Sequence, residues 1–399
     1  MALVAHAFAR GGMKGGFNAL ERNQPASAGL TPPRSQPVVP ASYRPPGDSE
    51  TDRTSRRRAR VVYWANGGGL SRSARIVSEA LASAGWEVEL VEDVRFPTST
   101  HRPARAIHQV RRWLRHGLEG VVRAAAVRCG RIDQADLNIF LEHLVPSQFH
   151  LAKSNVWIPN QEWMLFRWRP HLPRLDGIWV KTHYAERIFS ALSPSVTSVG
   201  FSSFDRYAPA VVKEPKTFLH VAGRSRQKGT SALLEAWRRN PGWPRRVVIQ
   251  NPERAQIVTL PNVEYRPIRL DDEELRLLQN RSEFHLYPSE AEGFGHVLCE
   301  SMGLGGIVMT TDAPPMNELV ANDRGLLVSY DRTSPQGLGT NYYAAVSSIE
   351  AAVERMLQMS DQEKQVLRDN ARLWFRENHA TFTQALQRIA THAVEKRRP

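Results

Sequence analysis

Apolar positions along this chain gather in short runs, each closed by glycine or by a polar cluster, and helical periods follow several of them. The run VVYW, 61–64, reads as a buried strand; Asn66-Gly67-Gly68-Gly69 is then a turn, and Ser71 to Ala84 a helix with Ala74, Ile76, Val77, Ala80 and Leu81 on its apolar side. Gly85 stops that helix, and WEVELV, 86–91, makes the next strand. Strand, glycine loop, helix and strand in that order predict the opening of a doubly wound α/β domain. DLNIFLEHL (136–144), NVWIPNQEWM (155–164) and DGIWV (176–180) fit successive strands of a parallel sheet. Their polar ends, Glu142, His143, Asn160, Gln161, Glu162, Lys181 and His183, fall where open α/β sheets bind ligands.

Residues 201–215, with Pro209 and Pro215, read as a connection, after which the same grammar restarts. A strand in 217–222 leads into a turn at Gly223 carrying Arg224, Arg226 and Lys228, and a helix begins near Gly229-Thr230. Arg and Lys beside a helix N-terminus combine side-chain and backbone donors for a phosphate. RVVIQ (246–250) and Asn262 to Tyr265 are further strands, and Asp271 to Gln279 a helix with its acidic residues in the first turn. Glu283 to Val328 is the most informative stretch: an apolar run at 284–287, a turn at Gly293 and Gly295, and a helix from Val297 to Leu304. Glu292 and Glu300 bracket that turn with seven residues between them. Beyond Val328 the pattern predicts helices over 341–357, 361–378 and 381–397.

Length changes this picture little, since 399 residues suit two cores. Charge changes it more: the net charge of +13 favours anionic partners such as nucleotides, nucleic acid or an acidic membrane. Residues 1–59, with seven prolines between Pro25 and Pro46 and the run Arg56-Arg57-Arg58, read as a disordered leader. Its opening MALVAHAFARGGMKGG lacks the basic start and cleavage pattern of a secretory signal, so a cytoplasmic location is expected. Seven arginines in 102–128 interleave with Trp113, Leu114, Leu118, Val121 and Val122, as in a basic amphipathic helix. Such a helix is either a solvated outer face or a peripheral contact with anionic lipid or a polyanion. Cys129 and Cys299 lie far apart, which points to no disulfide or thiolate metal site, and no apolar stretch reaches the 18 residues of a membrane span. The loop at 67–69 departs from GxGxxG, so no nicotinamide cofactor is inferred; it either admits a phosphate or sugar or is a tight turn.

Glu292-Gly293-Phe294-Gly295 followed by Glu300 resembles the Glu-x7-Glu element of the retaining glycosyltransferases that include glycogen synthases, sucrose synthases and bacterial mannosyltransferases. Gly223-Arg224 with Lys228-Gly229, and Asp323 to Val328, resemble two further elements of that group, the basic phosphate loop and a strand lead-in. The resemblance implies the GT-B fold, two Rossmann-like domains facing each other across a cleft. It divides the chain into a first domain at 60–205, a donor-binding domain at 206–380, and a last helix at 381–399 returning to the first domain. It implies that Arg224 and Lys228 neutralise the diphosphate of a nucleotide sugar and that Glu300 binds ribose hydroxyls. Glu292 would contact the transferred sugar, the N–H groups of Gly293, Phe294 and Gly295 would hold sugar or phosphate, and Gly68, in the 67–69 loop, would approach the donor or the acceptor. No metal and no cofactor beyond the donor are expected. Where the group places a first-domain histidine, this sequence has Ile158-Pro159-Asn160-Gln161-Glu162, so either Asn160 or His183 takes that role. Two other readings are a nucleotide-sugar or polyanion binder without transfer activity, and a nucleic-acid-associated transferase acting on modified DNA.

Overall fold

The computed structural model describes residues 56–64, 68–93, 118, 121–123, 125–131, 133–250 and 258–396. Most of the expected leader, Asn66, Gly67 and all of 102–117 therefore lie outside the described residues; of the basic helix, 118, 121–123 and 125–128 are described and helical. The first sheet contains β1 (Arg58–Trp64), β2 (Glu87–Asp93), β3 (Ala135–Leu141), β4 (Ala152–Ile158), β5 (Gly177–Val180) and β6 (Val196–Ser198). Its spatial order is β2-β1-β3-β4-β5-β6, with every pairing parallel. The helices α1 (Gly69–Ala82) and α2 (His183–Ser190) belong to this half. Strand β1 begins inside the stretch read as leader because Ala59 is a core position, and Arg57 bonds to Thr391 and Glu395.

The second sheet is built from β7 (Glu214–Gly223), β8 (Arg246–Gln250), β9 (Val263–Arg266), β10 (Ser282–Tyr287), β11 (Ile307–Thr311) and β12 (Gly325–Val328). Its order is β12-β11-β10-β7-β8-β9, again all parallel. Helices α3 (Thr230–Arg239), α4 (Asp272–Arg281), α5 (His296–Gly303) and α6 (Met316–Leu319) connect these strands. The architecture is thus two parallel six-stranded α/β sheets. In each, the strand order reverses beside the opening strand, between β1 and β3 and between β7 and β10. Ligands of open α/β sheets bind outside strand C-termini at such reversal points.

Two segments differ from the sequence expectation. Residues 341–344 are not helical: β13 (Tyr330–Gln336) and β14 (Gly339–Ala344) form an antiparallel hairpin, and α7 spans Val346–Gln358. Tyr342 and Tyr343 favour extended backbone, and Gly337 at φ 60° turns the chain. Its tip crosses to the first half, where Leu338 N donates to Gln161 O at 3.0 Å. The last two expected helices are one, α8 (Asp361–Glu395), started by a Ser360/Glu363 capping box. Neither Gly nor Pro interrupts it, and Ala371, Phe375, Phe382, Leu386, Ala390 and Val394 continue one buried stripe. That stripe shares a core with Val61 and Leu81 of the first sheet's layers and with Leu298 and Met302 of α5. Both sheets lie within one compact unit, Asp52–Pro399. Among the described residues no helix is long and apolar enough to cross a membrane.

Candidate active site

At the second sheet's reversal point, β7 ends in the loop 224–229 and β10 in the turn 288–295. Gly229, at φ 66°, starts α3, and a Cβ there would lie 2.1 Å from Pro288 O, so only glycine lets the basic loop lie against the end of β10. The loop is pinned by Glu290 N to Gln227 O at 2.9 Å and by Gln227 Nε2 to Asn341 Oδ1 of β14 at 2.7 Å. Lys228 Nζ donates to Glu292 Oε1, and both side chains are largely buried. Arg224 and Arg226 are exposed on the same loop. Gly295, at φ 104°, caps α5 and aims its N–H end at the same point. The Phe294 ring instead packs in the core, 5.4 Å from Phe201.

One turn into α5, Glu300 is 1% exposed. Burial pushes its pKa up while the Arg72 guanidinium opposes the shift. Arg72 Nη1, from the first turn of α1, donates to the two Glu300 oxygens at 3.0 and 3.2 Å. Gly68 precedes that turn as the α1 cap, and a Cβ on Gly69 would be 3.9 Å from His296 Cδ2. The His296 ring sits between Ser73 Oγ at 2.9 Å and Ser203 Oγ at 2.7 Å. Burial first, then the charges of Lys181, Arg72 and Lys228, hold its pKa well below the ordinary range, so it is a neutral hydrogen-bonding bridge between the halves.

The opposite wall comes from the ends of β3, β4 and β5. Lys181 Nζ donates to Asn160 Oδ1 at 2.5 Å, and Asn160 Nδ2 donates to Glu142 Oε2 at 2.6 Å, so the amide is held from both ends. Glu142 adopts φ 61°, a left-handed conformation uncommon outside glycine and a kind of strain that clusters at functional sites. Asn160 lies directly on the second domain: a Cβ on Gly293 would be 2.3 Å from its Oδ1. Gln161 Nε2 donates to Glu292 O at 2.8 Å. His183 is placed elsewhere. Its side chain is 76% exposed and bonds Glu186 at 3.2 Å, while its backbone N–H donates to Glu318 of α6. The structure thus brings Asn160, Lys228, Glu292 and Gly293 together and leaves the His183 ring outside that cluster.

Lys181 and Glu162 carry opposite perturbations in this wall. Burial lowers the Lys181 pKa, against the charges of Glu142 and Glu162. Burial, with the repelling carboxylates of Glu142 and Glu292, raises Glu162 to about 8 against a backbone hydrogen bond and the Lys181 charge. A carboxyl with a raised folded pKa takes up a proton on folding, so its contribution is favourable below the unfolded value and is lost as pH rises toward 8. Wild-type stability should therefore fall through the window from pH 4.5 to 8, by at most about 1.4 kcal/mol per pH unit from this group. Glu162→Gln removes that slope: thermal denaturation should show a Tm advantage for the variant that grows from pH 5 to pH 8. An advantage constant with pH would contradict a protonated Glu162.

Comparison with known proteins adds to this geometry. Residues 202–374 match the family model of glycosyl transferases group 1. That segment holds the Lys228 loop, Glu292 and Glu300. No match is found among curated proteins. Among solved structures, a glycosyltransferase from Rickettsia africae superposes with TM-score 0.61 at 12% identity, covering 86% of this chain and 99% of that one. Sucrose-phosphate synthase from Thermosynechococcus elongatus gives TM-score 0.62 at 14% identity over 84% of this chain and 99% of its own. Anabaena HepE, solved with UDP-glucose, gives 0.59 at 13% over 84% and 99%. The two sheets accordingly have the GT-B arrangement of glycosyltransferases, two Rossmann-like halves.

Glu142 and Lys181 were visible in the sequence only as polar residues at strand ends. Arg72, Ser73 and His296 gave no local signal, because their partners lie far away in the chain, 228 residues for Arg72 with Glu300, 223 for Ser73 with His296 and 93 for His296 with Ser203.

Proposed function

We propose that this protein is a retaining glycosyltransferase that moves a sugar from a nucleoside-diphosphate sugar to an acceptor hydroxyl. The observation that carries the reading is the buried Lys228–Glu292 pair at the N-terminal end of α5, with Glu300 one turn further on and the Asn160 wall opposite. In this reading Lys228 and Arg224 neutralise the diphosphate, helped by the N–H groups of 293–296. A diphosphate that draws Lys228 toward itself releases Glu292 to accept from the sugar hydroxyls, and Glu300 binds the ribose. As the anomeric bond breaks, the leaving diphosphate gains negative charge, which Lys228 and the helix end stabilise in place. The acceptor enters beside Asn160 and delivers its proton to the departing phosphate, on the same face of the sugar, so configuration is retained. A cytoplasmic site of action fits this chemistry, with 102–128 as the segment for a peripheral contact with an anionic surface.

A differential stability screen tests the reading. One of the UDP-, GDP-, ADP- or TDP-sugars should raise Tm in a dose-dependent way, because a ligand that binds only the folded state stabilises it by mass action. UDP-sugars come first, given the Anabaena HepE complex with UDP-glucose. No stabilisation by any sugar nucleotide or free diphosphate would sink it.

A further inference from the structure

In the 3-10 turn that follows β4, two consecutive residues each bury a side-chain oxygen with no hydrogen-bond partner: Gln161 Oε1 and Glu162 Oε2. The residues are 1% and 5% exposed. Leaving a buried polar atom unmet is destabilising, so two of them on consecutive residues call for an explanation. Their surroundings are those of the candidate active site. Gln161 spends its amide nitrogen on Glu292 O at 2.8 Å, and the Glu162 carboxyl stands among the charges of Glu142, Lys181 and Glu292.

The hairpin β13–β14 holds the backbone of this pair from outside. Leu338 N donates to Gln161 O at 3.0 Å, Gln336 Nε2 donates to Glu162 O at 3.4 Å, and Gly337 leaves a Cβ only 2.6 Å of room from Glu162 O. With backbone carbonyls occupied and the Gln161 nitrogen committed, the side-chain oxygens are what remains for a ligand.

We infer that Gln161 Oε1 and the Glu162 carboxyl form a hydroxyl-binding subsite for a sugar ring on the first-domain wall. The inference rests on the glycosyltransferase reading and deepens it. Gln161 Oε1 can only accept; Glu162, kept protonated by burial, donates through its O–H and accepts through its other oxygen. Neighbouring sugar hydroxyls offer that combination of donor and acceptor, whereas a phosphate offers the Gln161 oxygen nothing to accept. The ring is either the transferred sugar or the acceptor, since both present hydroxyls to this wall.

The test compares wild type, Glu162→Leu and Glu162→Gln by calorimetry. The probes are UDP, GDP, ADP and TDP, the most stabilising of UDP-glucose, UDP-N-acetylglucosamine, GDP-mannose, ADP-glucose and TDP-glucose, and free glucose or N-acetylglucosamine titrated onto diphosphate-saturated protein. Glu162→Leu should leave diphosphate affinity unchanged and weaken a sugar-bearing ligand by roughly tenfold. Loss in the sugar-nucleotide arm assigns the subsite to the transferred sugar, and loss in the free-sugar arm to the acceptor. Glu162→Gln, which keeps a donor and an acceptor, should restore most of that loss, as a merely structural role would not require. Equal weakening of diphosphate and sugar ligands, or no sugar-dependent change in either arm, overturns the inference while diphosphate binding by wild type leaves the parent reading standing. Wild type that binds no diphosphate at all overturns the parent reading instead.

Discussion

Lys228→Ala should reduce donor-dependent turnover by about 10²–10³-fold, the usual consequence of removing one preorganised group that meets developing charge. Its Nζ bonds the Glu292 carboxylate, and the two side chains are 15% and 10% exposed, so the substitution has a second effect. A buried carboxylate that loses its cation is left uncompensated, which costs about 3–5 kcal/mol when the pair is fully buried and less at this exposure. Tm should fall with activity. The two effects separate in a Glu292→Gln background, where no charge is stranded: adding Lys228→Ala there should leave Tm nearly unchanged while turnover falls further than in Glu292→Gln alone. Steady-state kinetics with the donor found in the screen, beside thermal denaturation, makes the comparison. Turnover no lower than that of Glu292→Gln alone would mean that Lys228 acts by holding the fold and not by meeting the diphosphate.

That double role explains which parts of the site were legible in the sequence. The loop around Lys228 and the Glu292–Glu300 spacing are local patterns: a glycine turn, a helix start and charges at fixed offsets. Strand and helix periods likewise announced both parallel sheets. Three things escaped. The hairpin at 330–344 carries its own turn chemistry in Gln336-Gly337-Leu338-Gly339, yet its apolar residues merge into the period of α7, so a helix starting at 341 looked continuous. The length of α8 escaped because Asn378-His379-Ala380-Thr381 looks like a break; Asn378 instead bonds Phe201 O at 2.8 Å from within the helix. Third, the pairs that close the cleft join distant segments. Arg72 with Glu300 and Ser73 with His296 follow from helix α1 facing helix α5, a tertiary relation that no window of sequence contains.

The Glu300 and Glu292 contacts also bear on how donor affinity would respond to the fold. Each carboxylate that the proposed function assigns to the donor is already paired with a cation, Arg72 in one case and Lys228 in the other. Such pairing keeps two buried negative charges satisfied within the protein itself, and a donor must exchange partners with these cations to bind. Specificity then favours a ligand that brings negative charge for Lys228 and hydroxyls for Glu292 together, because bringing only one strands the other partner. A diphosphate sugar brings both.

A hard constraint between the two walls of the site is the contact of Gly293 with Asn160, and Gly293→Ala should be among its most damaging single substitutions. A Cβ there would stand 2.3 Å from Asn160 Oδ1 and 2.4 Å from its Cγ. Asn160 has no easy retreat. Moving its amide breaks the bonds from Lys181 at 2.5 Å and to Glu142 at 2.6 Å, each charge-assisted and worth about 1.5–3 kcal/mol. The other route is a shift of the two walls apart, which breaks Gln161 Nε2 to Glu292 O and misplaces the reacting groups. Overpacking alone costs about 1–3 kcal/mol, so a stability loss near the top of that range and a fall in transfer of about 100-fold are expected. Denaturant unfolding and turnover of Gly293→Ala, Asn160→Ala and the double variant form a cycle that isolates the contact. In the Asn160→Ala background the added methyl has room, so Gly293→Ala should cost little further stability, giving a coupling on the order of 2 kcal/mol. Additive losses across the cycle would show that something other than Asn160 requires glycine at 293, and the first-domain wall would then lose its place in the site.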